Sequence, residues 1–154
     1  IRNKKFSNGY FFNLQHLRKF SEQLVSEYDI RVGTVKSKVR TMSGGNKQKL
    51  VVARELKQKK QLVIAENPTW GVDIGAINKI HQELIKMRDM GHAILLVSNE
   101  IEEIMGLSDR IYVMANGQLS EPMSSAQVTA NKLGKLMLSH NESILSEKLE
   151  KIQP

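Results

Sequence analysis

The apolar positions of this chain change their period near residue 61. Between 11 and 28, Leu14, Leu17, Phe20, Leu24, Val25 and Tyr28 recur at spacings of three and four, which predicts a helix with one apolar face; Tyr10, Phe11 and Phe12 cluster at its start. Residues 1–9, polar and basic with one aromatic, read as a loop. The stretch 29–40 alternates only weakly, with Ile30, Val32, Val35 and Val39 among basic residues, and predicts a loop with a short extended piece. The string from Thr41 to Glu55, Thr-Met-Ser-Gly-Gly-Asn-Lys-Gln-Lys-Leu-Val-Val-Ala-Arg-Glu, predicts a turn followed by a helix. Ser43 is its cap, Leu50, Val51 and Ala53 form its inward stripe, and the basic run from Lys57 to Lys60 suits the negative end of its dipole.

Beyond 61 the apolar residues come in short unbroken runs. Residues 62–65 and 93–97 predict strands buried on both faces of a parallel sheet. Between them, 75–90 predicts a helix with Ile77, Ile80, Leu84, Ile85 and Met87 inward and Gly91 as its C-terminal cap. A short helix over 101–107 and a third strand over 110–115 follow. Asn116-Gly117 is a hairpin signal leading to a return strand over 118–120. Residues 125–138 predict a further helix, and 139–154 a charged tail with Ile144, Leu145, Leu149 and Ile152 on one side, a stripe expected to pack on its own domain. Strand and helix alternating in this way predicts an α/β fold with right-handed crossovers. Three regions are expected: a helical part over 1–60, an α/β part over 61–122 and a helical tail over 123–154.

At 154 residues and 40% hydrophobic content, one ordinary core suffices. The net charge of +7 and pI near 9.7 would suit nucleic acid or an anionic membrane surface, but the lysines are spread along the chain and read as a solvated basic face. The absence of Cys excludes disulfides and Cys-based zinc sites and fits a cytosolic setting. His16, His81, His92 and His140 are scattered. No apolar run reaches membrane-span length and no signal peptide is recognisable, so attachment to a membrane is expected only through a partner. The start at Ile1 reads as an internal point of a longer polypeptide.

Two stretches carry chemistry. Ser43, Gly44 and Gly45 offer a hydroxyl and bare N–H groups at a helix start, a surface suited to phosphate, although alone the turn reads as no more than a capped helix after a flexible loop. The loop Glu66-Asn67-Pro68-Thr69-Trp70-Gly71-Val72-Asp73-Ile74-Gly75-Ala76 follows a strand, where a carboxylate is well placed for magnesium; Asp73 also reads as the N-cap of the next helix.

Met-Ser-Gly-Gly-Asn-Lys-Gln-Lys followed by Val-Ala-Arg-Glu-Leu resembles the signature motif of ATP-binding cassette (ABC) ATPases. The Asn at its fifth place and Gly71-Val72-Asp73-Ile-Gly-Ala are similar to the ATPases of simple-sugar and nucleoside importers. The run 62–69 resembles the Walker B segment, and Ser108-Asp109-Arg110-Ile111 with Gly117 resembles the family's C-terminal strands. The resemblance covers roughly 29–137 and implies the later part of a P-loop NTPase-like domain with a helical subdomain carrying the signature.

It also implies roles and departures from them. Ser43, Gly44, Gly45, Asn46 and Asp73 take nucleotide-binding positions, and Glu66 stands where the family has its magnesium-associated Asp. Asn67 replaces the catalytic Glu and Asn99 the switch His; an amide cannot accept the proton of an attacking water, nor can Asn99 carry a positive charge. No Gly-x-x-x-x-Gly-Lys-Ser/Thr loop is present. The implied protein is an ATPase using ATP and Mg2+ at the cytoplasmic face of the membrane, peripherally bound, with a partner nucleotide-binding domain, membrane permease subunits and an upstream substrate-binding protein. This half lends its signature to the partner's ATP while its own site is degenerate, and the isolated chain is expected to be inactive. A non-transport ABC-type ATPase acting on nucleic acid and a catalytically inert interaction module are the alternatives; no direct nucleic-acid contact is expected.

Overall fold

The computed structural model describes residues 7–8, 11–58 and 60–138. The expectations for 1–6, for Tyr10, for Lys59 and for the tail 139–154 with its apolar stripe lie outside the described residues. The chain divides into two compact units, Ile1–Val63 with Asn67–Leu95, and Ile64–Glu66 with Leu96–Pro154.

In the first unit, β1 (Ser7–Asn8) pairs antiparallel with β2 (Phe11–Phe12). Helix α1 therefore starts at Leu14, not at 11: Asn13 caps it by accepting the His16 N–H at 3.0 Å, and apolar residues ahead of that cap are free to pair as strand. The helix ends at Glu27, where Asp29 turns left-handed at φ 46° and the Ile30 N–H donates back to the Val25 carbonyl at 2.9 Å. Leu24, Tyr28 and Ile30 are buried there with Ala53. Residues 29–43 hold no strand; a 3-10 turn at Val39–Thr41 leads into α2 (Gly44–Leu56), which packs on α1 and on α3 (Ile74–Asp89). The inward stripe of α2 is Lys49, Val52, Ala53 and Leu56, at spacings of three and four, with Leu50 half-buried. Val51 is exposed, because it falls on the other side of that stripe.

Helix α3 buries Ala76, Ile80, Glu83, Leu84 and Met87. It closes at Gly91, φ 86°, with His92 N–H donating to Met87 at 3.1 Å and Gly91 N–H to Arg88 at 2.8 Å, the paired bonds of a Schellman cap. An ion network joins the three helices: Lys57 meets Glu27 at 2.6 Å and Glu83 at 3.9 Å, while Lys79 and Lys86 reach Glu83 at 3.4 and 3.0 Å. Burial pushes the Glu83 carboxyl up, but Lys86, Lys57 and Lys79 outweigh it and hold the group below the usual glutamate range. A carboxylate whose folded pKa is depressed stabilises the fold above its unfolded pKa and loses that contribution as pH falls through the folded value. Glu83→Gln is therefore expected to cost about 1–2 kcal/mol at neutral pH, between the values for exposed and fully buried pairs, and the gap should close as pH falls below the carboxylate range. Thermal denaturation of both proteins from neutral to acidic pH measures this; a gap independent of pH would refute it.

Strands β3 (Leu62–Glu66) and β4 (Ala93–Val97) pair with each other, and α3 is their crossover. The expected burial on both faces does not hold. Val63 is buried while Leu62 and Ile64 are exposed; Ile94 and Leu96 are half-buried while Leu95 and Val97 are exposed. Successive side chains leave a strand on opposite faces, and among the described residues one face is covered.

In the second unit, α4 spans Ile101–Leu107. The third predicted strand is two short ones: β5 (Arg110–Ile111) pairs antiparallel with β8 (Met123–Ser124), and β6 (Met114–Ala115) with β7 (Gln118–Leu119). The partner changes at Val113, whose N–H donates to Ser120 Oγ at 2.9 Å. Asn116 and Gly117, φ 48° and 75°, make the predicted tight hairpin. The last helix, α5, covers 130–138 rather than starting at 125: Ser125 to Gln127 form a turn, and Thr129 Oγ1 accepts the Lys132 N–H at 3.2 Å. Ile111, Val113, Val128 and Leu133 form the core of this unit.

Candidate functional site

The first unit gathers the turn before α2 and the loop before α3. Ser43 is extended (φ −62°, ψ 161°) and caps α2. Its Oγ accepts the Asn46 backbone N–H at 3.4 Å and the Asn46 Nδ2–H at 2.9 Å. Asn46 Oδ1 in turn accepts the Arg31 N–H at 2.8 Å, which fixes which way its amide faces. Ser43 Oγ accepts two hydrogen bonds from Asn46, and its hydroxyl hydrogen takes no part in them and can serve as a donor. Gly44 and Gly45 occupy the first turn, where N–H groups have no intrahelical acceptor, and a Cβ built on Gly44 would meet nothing within 4 Å. An anion can approach this turn closely and find a hydroxyl and two amides.

Gly45 answers a different demand: a Cβ there would lie 2.7 Å from the Gly71 carbonyl oxygen. One turn on, Gln48 Nε2 donates to the Asn67 and Pro68 carbonyls at 3.3 and 3.2 Å. Asn67 is left-handed, φ 41°, and its carbonyl also accepts the Trp70 N–H at 3.1 Å. Gly71 follows at φ 69°, so the loop 67–73 is a folded turn laid along α2. Asp73 closes it by capping α3 with Oδ1, which accepts the Ala76 N–H at 3.0 Å. Its Oδ2 stands 2.7 Å from Lys49 Nζ. The Lys49 hydrogen bond and then the Ala76 amide hold the Asp73 carboxyl below the usual aspartate range.

The structure thus brings Ser43, Gly44, Gly45, Asn46, Asn67 and Asp73 together in one unit. Glu66, exposed at the end of β3, and Asn99, exposed beyond β4, belong to the other; next to Asn99, Ser98 Oγ accepts the Glu100 N–H at 3.0 Å. Among the described residues no three His, Cys, Asp or Glu side chains cluster as a metal site would need. Gln48, Lys49 and Asp29 were not singled out from sequence. Lys49 was legible in principle, as a cation at helical spacing with Val52, Ala53 and Leu56.

No protein-family model matches the chain. It is 44% identical over 119 residues to the guanosine import ATP-binding protein NupO of Bacillus subtilis, covering 77% of this chain and 23% of that protein. It is 38% identical over 131 residues to the nucleoside import ATP-binding protein NupA of Lactococcus lactis, covering 85% of this chain and 26% of that protein. The chain therefore spans about a quarter of the length of the curated relatives it matches. Among solved structures, the dimeric ATP-binding cassette MJ0796 bound to ADP and Pi superposes with a TM-score of 0.64 at 22% identity, over 77% of this chain and 51% of that one.

Proposed function

Because the chain belongs to the ATP-binding cassette (ABC) ATPase family, of the type found in nucleoside and sugar import, we propose that it is the C-terminal portion of a second, degenerate nucleotide-binding domain in an importer of nucleosides or simple sugars. In this reading the helical subdomain lies within 1–60, the later part of the ATPase core is 61–122, and α5 (130–138) belongs to the C-terminal part that follows. The whole protein hydrolyses ATP at the cytoplasmic face of the membrane, held there by permease subunits and served by a substrate-binding protein. In this reading the Ser43–Gly45 turn completes an ATP site held mainly by a partner nucleotide-binding domain. Ser43 Oγ and the Gly44 and Gly45 amides donate to the terminal phosphate, where developing charge rewards fixed donors. Asn46 works through Ser43, and Asp73 shapes the loop alongside.

In this domain's own motifs Glu66 takes the place of the family's magnesium-associated carboxylate, whose ion would neutralise phosphate charge when bound. Asn67 takes the place of the general base and Asn99 that of the cationic switch. Neither amide can take a proton from water, so this half acts as a clamp and the segment by itself is inactive. The observation that carries the proposal is the start of α2, where Ser43 Oγ accepts two hydrogen bonds from Asn46 and a Cβ on Gly44 would meet nothing within 4 Å.

Replacing Asn67 with Gln in the full-length protein tests the clamp. Turnover is expected to stay within about tenfold of the parent, since an amide replaces an amide. A larger loss would make this half catalytic after all.

A further inference from the structure

We propose that Lys49 is a positioning residue that locks the phosphate-facing turn of α2 to the loop 67–73, so that the donors at Ser43–Gly45 and the loop ending in Asp73 move as one body. This rests on the reading above, in which the turn meets a nucleotide phosphate. Lys49 is a buried cation that the proposed chemistry does not use. Its side chain is 4% exposed, and its ammonium donates to the Asp29 carbonyl at 3.1 Å and reaches Asp73 Oδ2 at 2.7 Å, with Asp29 Oδ2 at 3.9 Å. One group thereby spans the end of α1, the body of α2 and the start of α3.

Its neighbours on the same face of α2 make the geometry of a lock. Positions 45, 48 and 49 are spaced as one helical face, and all three meet the same loop: Gly45 at the Gly71 carbonyl, Gln48 at the Asn67 and Pro68 carbonyls, Lys49 at Asp73. The first two contacts are to backbone and would tolerate sliding of the loop. The third joins a buried ammonium to the carboxylate that caps α3, and it fixes the register. An apolar side chain of similar length would fill that space at little loss of stability, because it removes the buried charge and the carboxylate left behind is solvated. What the cation adds is direction.

The Asp73 side chain is 58% exposed, so removing its partner leaves it solvated and not stranded. Lys49→Met should fold as the parent does; in Asp73→Asn the new side chain keeps an oxygen to cap α3, but the buried Lys49 ammonium loses its nearest carboxylate and the fold is weakened. In the full-length protein each single variant is expected to lower kcat about tenfold with KM for ATP within about threefold, the signature of donors misaligned toward charge that develops in the transition state. The double variant should be no worse than the worse single one, because both break one contact. The melting temperature of Lys49→Met should lie within a few degrees of the parent's, and that of Asp73→Asn below both. An unchanged kcat in Lys49→Met, effects that add in the double, or a kcat loss matched by a fall in the melting temperature of Lys49→Met would each overturn the lock; should Lys49→Met fail to fold, Lys49→Gln, which removes the charge and keeps a donor, decides in its place. Ser43→Arg measured alongside separates the two levels. If it abolishes turnover while Lys49→Met is silent, the phosphate reading stands and only the lock falls; if it too leaves turnover intact, the reading fails and the lock with it.

Discussion

Ser43→Arg in the full-length protein is expected to abolish coupled ATP turnover. Three losses coincide at this one position. The cap of α2 disappears, at about 1 kcal/mol, since Ser43 Oγ no longer accepts the Asn46 N–H. The hydroxyl donor disappears too; in the proposed reading, deleting a single donor of this kind costs about a hundred- to a thousandfold in kcat. A guanidinium then crowds the start of α2, next to Gly44, where the proposed reading brings in a phosphate. The first loss is too small to stop the enzyme and the other two are not, so turnover should fall below detection while the protein still folds. ATP hydrolysis by the assembled transporter is the measurement, and unchanged hydrolysis would remove the phosphate role from this turn.

Gly45→Ala should be the most destabilising single methyl that can be added to the turn. The new Cβ would stand 2.7 Å from the Gly71 carbonyl oxygen, with Gly71 C at 3.7 Å and Val72 Cα at 3.8 Å behind it. These are backbone atoms and cannot rotate away. Either α2 or the loop must shift, a cost of about 1–3 kcal/mol by analogy with overpacked cores. Gly44→Ala is the matched control, since its methyl meets nothing within 4 Å. Thermal denaturation should show a drop of several degrees for Gly45→Ala and almost none for Gly44→Ala. Equal melting temperatures would mean that the two loops are not in contact. Turnover should fall with Gly45→Ala as well, because the shift carries the Ser43 and Gly44 donors with it.

These two glycines show how far the residues alone could lead. Ser-Gly-Gly before an apolar-periodic helix announced a cap and exposed amides, and Ser43 does cap α2. Asp73 as an N-cap, Gly91 as a helix stop and Asn116-Gly117 as a tight turn are likewise local events, set by backbone conformations that few residue types accept. The start of α1 was misplaced because Phe11 and Phe12 satisfy helical and extended patterns alike, and only pairing with Ser7 and Asn8 separates them. The double burial expected of β3 and β4 failed for a related reason: an unbroken apolar run does not say which of its faces the described residues cover.

The sequence by itself determined the main helices, the caps and turns, the resemblance to a nucleotide-binding family and the amides at 67 and 99, because each depends on residue type or on spacing within a few residues. The tertiary structure alone decided that Gly45 is needed for an approach to Gly71, that Gln48 reads the Asn67 and Pro68 carbonyls, and that Lys49 turns inward to Asp73 and Asp29. Those contacts join residues about twenty positions apart in most cases, and no local propensity encodes them. They arise when α2 and α3 pack, which brings one helix face against one loop and leaves a lysine where water cannot reach it.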